Sequence, residues 1–191
     1  NNYGNIHLEV ADNGSWKRYD YVLGVPSVEY SSYKDAPTDA GDAARDTLFD
    51  YTPVDTAHDN GSVNPLSPRT VTVNILTTTI AKTFHSYYLE NSNRVEITKQ
   101  CVSASAGYND TGNLETVTVY SEAADSASSE EVLSVKYPDG RKDTYTYEYG
   151  TCSTSAAPYT FSAGTGDYRR VTVVHGTTAN PNGVAYKSTR D

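Results

Sequence analysis

The fold is decided by one stretch, residues 132–149, with the sequence VLSVKYPDGRKDTYTYEY. Apolar or aromatic residues occupy every second position before Pro138-Asp139-Gly140 and again from Tyr145 to Tyr149. A period of two is typical of a strand with one buried face, and Asp-Gly supplies the backbone freedom that a tight turn needs. The stretch therefore predicts a β-hairpin.

The same spacing occurs near the start of the chain, in residues 3–21. Ile6, Leu8 and Val10 alternate before the turn sequence Asp12-Asn13-Gly14. Gly14 lies five residues before Tyr19 and seven before Tyr21. Gly140 likewise lies five residues before Tyr145 and seven before Tyr147. Residues 84–101 follow a weaker version of this pattern. Units that cannot bury a face alone must stack to form a continuous core, so we expect a series of hairpins.

Composition favours an all-β fold across the whole chain. The sequence contains 17 Tyr, 13 Gly and 8 Pro, which suits strands punctuated by turns. The best helical candidate is residues 36–49, with a short helix near residues 40–48. We therefore predict one β-repeat domain over residues 1–191, with successive antiparallel hairpins forming a continuous sheet or sandwich. Further strands are expected at 27–33, 70–76, 80–89, 94–101, 112–120, 169–175 and 184–188, and loops at 122–131 and 151–166.

Residues 36–69 interrupt the hairpin pattern. They are rich in Pro and Asp and contain His58-Asp59-Asn60-Gly61 and Asn64-Pro65. These residue types disfavour central strands. The sequence predicts an irregular loop or insertion here.

The charge balance bears on partners. A formal net charge of −9 argues against a nucleic-acid partner, because phosphate binding needs clustered Lys and Arg. No apolar run approaches the roughly 18 residues of a membrane span. The chain contains no Met, so we expect Asn1 to be the end of a processed product or of a piece of something longer. The Tyr-, Thr- and Ser-rich composition favours an extracellular or cell-surface location.

Two cysteines, Cys101 and Cys152, allow either one disulfide or two unpaired thiols. Without suitably spaced His partners they do not indicate a zinc site. We expect no cofactor and no metal.

Catalytic candidates are weak. The best local cluster is His58 with Asp55 and Asp59, which an Asp-rich loop also explains. Pairs of carboxylates suitable for glycoside hydrolysis are inevitable among 24 acidic residues. We therefore predict no catalytic residues. The N-glycosylation pattern occurs at Asn13, Asn60 and Asn109, where turn formation is the competing explanation.

Several of these motifs resemble the tyrosine-aspartate (YD) repeat of the rearrangement-hotspot (RHS) proteins. One match is Tyr108-Asn109-Asp110-Thr111-Gly112-Asn113-Leu114, with Asn109 in the Asp position, and Tyr3-Gly4-Asn5-Ile6 is similar to the end of it. The other matches are Gly14 with Tyr19, Asp20 and Tyr21, and Asp139-Gly140-Arg141 with Tyr145 and Tyr147. Residues 36–69 depart from the family pattern, and Glu148 follows Tyr147 where the family has Asp.

The resemblance implies a structural β-sheet, because the repeats of that family wind into a hollow shell. No self-cleaving motif of the family is visible, so no catalytic residue is carried over. We expect self-association, or contact with neighbouring repeats of a longer chain, giving an extracellular filament or shell. The alternatives are a secreted β-sandwich that binds carbohydrate or a cell surface through exposed tyrosines and the 36–69 loop, and a polysaccharide-acting enzyme.

Overall fold

The computed structural model describes residues 5–34, 44–122, 130–153, 160–181 and 186–190, the last of these as backbone only. All regular secondary structure in these ranges is β-strand. The predicted all-β fold is confirmed.

Thirteen strands follow one another along the described parts of the chain. They are β1 (Leu8–Val10), β2 (Trp16–Val22), β3 (Val25–Ser31), β4 (Arg45–Asp50), β5 (Thr70–Ile75), β6 (Thr78–Glu90), β7 (Asn93–Gln100), β8 (Leu114–Ser121), β9 (Val132–Lys136), β10 (Lys142–Cys152), β11 (Phe161–Ala163), β12 (Tyr168–His175) and β13 (Tyr186–Arg190). Strand order in the sheet follows sequence order, except that β11 lies beside β10 off the main path. Every pairing with a described register is antiparallel.

The chain divides into two compact units. The first comprises the described parts of Asn1–Tyr88 and Glu96–Glu115, and the second those of Leu89–Val95 and Thr116–Asp191. Strands β1–β5 lie wholly in the first unit and β9–β13 wholly in the second.

The first unit opens with the predicted hairpin, β1–β2, and the second unit contains the other, β9–β10. In the first turn the amide of Gly14 donates to the carbonyl of Ala11 at 2.8 Å, and in the second the amide of Gly140 donates to Tyr137 at 2.9 Å. Gly14 and Gly140 have φ of 82° and 86°, a conformation that favours glycine. Both hairpins are confirmed.

An Asx side chain closes each of these two turns in the same way. Oδ1 of Asn13 accepts the amide of Ser15 at 3.0 Å, and Oδ1 of Asp139 accepts the amide of Arg141 at 3.1 Å. Such bonds are the reason why Asn and Asp favour turns. The Asn-Gly and Asp-Gly sequences therefore have the same structural role.

The likeness extends to the third and fourth strands of each unit. The amide of Ser32 donates to Trp16 at 3.1 Å after β3, and the amide of Gly176 donates to Lys142 at 3.0 Å after β12. β3 then pairs with β4, and β12 with β13, over equivalent residues. Each unit thus contains one four-strand meander, β1–β4 in the first and β9, β10, β12 and β13 in the second.

Few side chains of these strands are fully buried. Every residue of β3 and of β5 is only half-buried, where a strand with one covered face would alternate. A small core cluster consists of Trp16 and Ala44, with Tyr30 packed against it. The strands are therefore held mainly by their ladders and by cross-strand side-chain contacts.

The prediction that residues 36–69 are irregular is partly wrong. β4 (Arg45–Asp50) lies inside it, where the sequence also favoured a helix to residue 48. β4 pairs with β3 on one side and β5 on the other, so two ladders override the local helical tendency. Residues 36–43 lie outside the described ranges. Residues 51–69 contain no strand and form the ordered loop between β4 and β5.

Two other expectations are corrected. The predicted loop 151–166 contains β11, which pairs with an extension of β10 as far as Cys152. Cys101 and Cys152 are free thiols, so no disulfide is present. Each is held in its own unit, since the Cys101 amide donates to Lys82 at 3.0 Å and Cys152 lies opposite Phe161.

Candidate functional site

The ordered loop 51–69 is built around a buried ion pair between Arg69 and Asp59. Nε of Arg69 donates to Oδ2 of Asp59 at 2.7 Å, and Nη2 donates to Oδ1 at 3.2 Å. The remaining guanidinium donors bond at 2.6–2.9 Å to backbone carbonyls of the same loop, those of Val63, Asn64 and Ser67. The side chain is 1% exposed. Arg69 thus connects Asp59 and three backbone carbonyls of the loop 51–69 to one another.

Asp59 is bound from the backbone as well. The amides of Gly61 and Tyr87 donate to its carboxylate at 2.8 and 3.0 Å. Burial opposes ionisation, but the bonds from Arg69 and these amides outweigh it and lower the pKa of Asp59 below its usual value. The Tyr87 ring lies 4.6 Å from the Arg69 guanidinium. The pair joins the loop to β6.

His85 lies on β6 near this ion pair. Burial lowers the pKa of His85, and the positive charge of Arg69 lowers it further. Its Nδ1 is 3.3 Å from the hydroxyl of Thr98 on β7. The environment therefore favours neutral imidazole.

A second cluster joins Asp55, His58 and Tyr108. Nδ1 of His58 lies 3.1 Å from Oδ2 of Asp55, and the Tyr108 hydroxyl donates to the same oxygen at 3.2 Å. Burial, together with the Asp55 charge, raises the pKa of the Tyr108 hydroxyl. Lys99 lies 3.9 Å from the Tyr108 ring centroid. Of the sequence cluster His58, Asp55 and Asp59, the first two are in contact, whereas Asp59 is paired with Arg69.

This second cluster does not resemble a metal centre. Within the described residues no group of three His, Cys, Asp or Glu side chains could hold a metal ion. The His58 ring packs against Tyr88 with a centroid distance of 5.1 Å. The arrangement holds the loop against β6.

An apolar groove of about 670 Å³ lies beside this loop in the first unit. Its lining includes Val25, Phe49, Tyr51, Pro53 and Leu66. The Tyr51 hydroxyl donates to the carbonyl of Pro26 at 2.8 Å, which fixes the ring at the groove wall. The volume falls in the range of small-molecule sites. Sequence reasoning considered this loop as a binding surface but did not predict the groove.

In the second unit, the Asp143 carboxylate contacts two side chains, and sequence reasoning missed both contacts. Nδ1 of His175 lies 3.0 Å from its Oδ2, and the Tyr137 hydroxyl donates to the same oxygen at 3.3 Å. Asp143 and His175 face each other across β10 and β12. Finding this contact requires the register between β10 and β12, which residue types alone do not give.

The repeat-motif tyrosines are tied into the ladders. Tyr21 donates its hydroxyl to the carbonyl of Ile6 at 2.7 Å, and Tyr147 donates to Val132 at 2.9 Å. The two bonds occupy equivalent places in the two hairpins. Tyr19 donates to Glu9 at 3.2 Å. Their hydroxyl groups therefore brace strands.

The turn containing Tyr108, Gly112 and Asn113 is closed by side chains. Nδ2 of Asn113 donates to the carbonyl of Gly107 at 2.8 Å, and Oδ2 of Asp110 accepts the Gly107 amide at 2.9 Å. A Cβ on Gly112 would lie 3.2 Å from a methyl group of Val102. These residues shape a turn. Gly4 lies outside the described residues, and Asn5 lies three residues before the start of β1.

The glycosylation-pattern residues Asn13, Asn60 and Asn109 are all exposed. Oδ1 of Asn13 accepts the Ser15 hydroxyl at 2.8 Å, and Oδ1 of Asn60 accepts the Ser62 hydroxyl at 2.6 Å. These bonds are turn-forming contacts. Glycosylation itself stays a prediction.

No family model, curated protein or solved structure matches this chain. Within the described residues no helix is long and apolar enough to cross a membrane. A functional proposal therefore has to be argued from the strands and side chains themselves.

Proposed function

We propose that this chain is a non-catalytic structural β-repeat module of the RHS type. It would assemble, with copies of itself or within a larger chain, into an extracellular filament or shell. The observation that carries this proposal is the four-strand meander that occurs in both units with the same first turn and the same antiparallel order of strands. Recurrence of one supersecondary unit is typical of repeat architectures, in which neighbouring units stack to form a continuous core.

The use of polar side chains supports the same proposal. The Tyr21 and Tyr147 hydroxyls bond to carbonyls within their own hairpins, and the Arg69 guanidinium is fully occupied by its loop. Half-buried strands such as β3 and β5 leave apolar and aromatic surface for a neighbouring layer or repeat. The polar groups stabilise strands and loops, and the open surfaces suit assembly.

Negative-stain electron microscopy and multi-angle light scattering of the purified chain test the proposal. We expect the mean mass to rise with protein concentration and elongated or shell-like particles to appear. A monomer of constant mass over a hundredfold concentration range would contradict self-assembly.

A secreted module that binds carbohydrate or a cell surface is the second candidate, and the apolar groove favours it. Tyr51, Pro53 and Leu66 present rings and an aliphatic side chain around it. Trp16, which would be the strongest sugar-stacking residue, is buried and is not available. A glycan array with the parent chain and Tyr51→Ala tests this candidate, with Tyr168→Ala, an exposed tyrosine of the second unit, as control. Binding lost only in Tyr51→Ala would support it, and no binding to any glycan class would count against it.

A further inference from the structure

β1 presents an outer edge to which no described strand is paired. The amide of Ala11 donates to Ser15 at 2.8 Å and the carbonyl of His7 accepts from Tyr19 at 3.0 Å, so these residues face β2. Because bonding direction alternates along an antiparallel strand, the backbone groups of Leu8 and Val10 point away from β2. This edge can accept another strand.

The equivalent edge in the second unit is already filled. Leu8 corresponds to Ser134 in the matched hairpins, and β9 pairs there with β8 through Val119. Ser134 is 7% exposed, whereas Leu8 is 47% exposed. Ile6 and Val10, which lie on the same face as Leu8, are also exposed. Within the described residues, the outer edge of β1 therefore has no strand beside it, whereas the equivalent edge of β9 is filled by β8.

β13 presents the complementary edge. It corresponds to β4, since each is the fourth strand of its meander, and the outer edge of β4 is filled by β5. The bond between Gly176 and Lys142 shows which residues of β12 face β10. By alternation, the backbone groups of Lys187 and Thr189 point away from β12. Within the described residues β13 has β12 as its single neighbour.

We propose that the outer edge of β13 in one copy of this chain pairs with the outer edge of β1 in a second copy. This inference rests on the proposed self-assembly and names its interface. The fourth strand of one meander would then meet the first strand of another, and both edges are ones that a strand fills at the equivalent place in the other unit, β5 beside β4 and β8 beside β9. The contact joins two different surfaces, so it leaves a new edge at each end and generates a filament or a large ring.

Local charge favours this pairing over β1 with β1 or β13 with β13. The β13 sequence YKSTR contains two basic residues and no acidic one, while the β1 sequence LEV contains one acidic residue and no basic one. Like strands would bring like charges together, which destabilises cross-strand pairs. The net charge of −9 repels whole chains, so added salt should promote assembly until it also screens the local attraction.

Two proline variants test the interface separately. Leu8→Pro removes an outward amide from β1, and Thr189→Pro removes one from β13, while the ladders to β2 and β12 keep their bonds. Leu8→Thr is the matched control, because it keeps the amide and the strand propensity. Circular dichroism establishes that each variant is folded. We expect each proline variant to weaken association by about tenfold or more in sedimentation velocity.

Mixing the two proline variants distinguishes head-to-tail pairing from any other. The first keeps a competent β13 and the second keeps a competent β1, so an equimolar mixture should form dimers that do not grow. Dimers of Thr189→Pro alone, or no dimer in the mixture, would overturn the inference. If a variant that carries both substitutions assembles as well as the parent chain, the proposed interface is wrong, whereas the proposed function still stands. A parent chain that stays monomeric would remove the proposed self-assembly itself.

Discussion

Arg69 is the residue on which the order of the 51–69 loop depends. All three of its guanidinium nitrogens bond to acceptors within that loop, and Asp59 in turn receives the Tyr87 amide from β6. Burying two charges carries a desolvation penalty that only such complete pairing offsets. Loss of either partner therefore leaves an uncompensated buried charge.

Asp59→Asn should destabilise the chain by about 3–5 kcal/mol, since it leaves the Arg69 charge buried and unpaired. Urea unfolding followed by circular dichroism measures this loss. Asp139→Asn is the matched control, because its ion pair with Arg141 is exposed and should matter little. Equal midpoints for the two variants would show that the buried pair does not hold the loop.

His85 should make stability dependent on pH. Its pKa is lower in the folded chain than the usual value of 6.5, so the unfolded chain binds more protons in the window below 6.5. The free energy of unfolding should therefore be fully retained above about pH 6.5 and should fall as the pH drops through that window. His85→Gln should reduce this slope in urea titrations between pH 7 and pH 5. An unchanged slope in the variant would assign the pH dependence to other groups.

At the scale of elements, the hairpins and the presence of a loop at 51–69 were predictable, whereas β4 and the contacts that order the loop were not. Alternation and an Asp-Gly or Asn-Gly turn are local signals, and they correctly indicated β1–β2 and β9–β10. β4 and β11 were missed because each depends on neighbouring strands and carries little local signal. The sequence predicts residues 51–69 to be irregular because the residues that order them are distant in sequence. Tyr108, whose hydroxyl donates to Asp55, is one example.

Tyr21→Phe and Tyr147→Phe should have equal effects, because the two hydroxyls make the same bond in the two hairpins. Each substitution should cost about 1 kcal/mol, the value of a typical net hydrogen bond. Thermal and urea unfolding give the numbers. Tyr19→Phe is the control, since its bond to the Glu9 side chain is exposed and should contribute less. A large difference between the first two variants would argue against equivalence of the hairpins.

The turn between β2 and β3 offers a stabilising change. Leu23 and Gly24 have φ of 52° and 86°, the pattern of a two-residue hairpin turn in which Asn-Gly is preferred. Leu23 is also fully exposed. Leu23→Asn should therefore stabilise the chain by about 0.5–1 kcal/mol, measured as a raised urea midpoint. Leu23→Val, β-branched and unsuited to positive φ, should lower the midpoint instead.

At the scale of the whole molecule, recurrence of the meander gives both units one plan. Sequence spacing indicated this recurrence through Gly14 and Gly140, and the structure adds that the fourth strand and its partner recur too. The open edges of β1 and β13 could not be predicted from sequence, because alternation does not say which strand lacks a neighbour. Of the side-chain clusters, only the contact between His58 and Asp55 was local enough to predict.

Hydrogen exchange at β1 tests the central claim most directly. The amides of Leu8 and Val10 point outward, whereas the Ala11 amide is bonded to Ser15 in the isolated chain. As protein concentration rises through assembly, exchange of the Leu8 and Val10 amides should slow by about tenfold or more, while Ala11 stays unchanged. Assembled particles in which Leu8 and Val10 still exchange at the monomer rate would contradict the claim that the chain extends its sheet through β1.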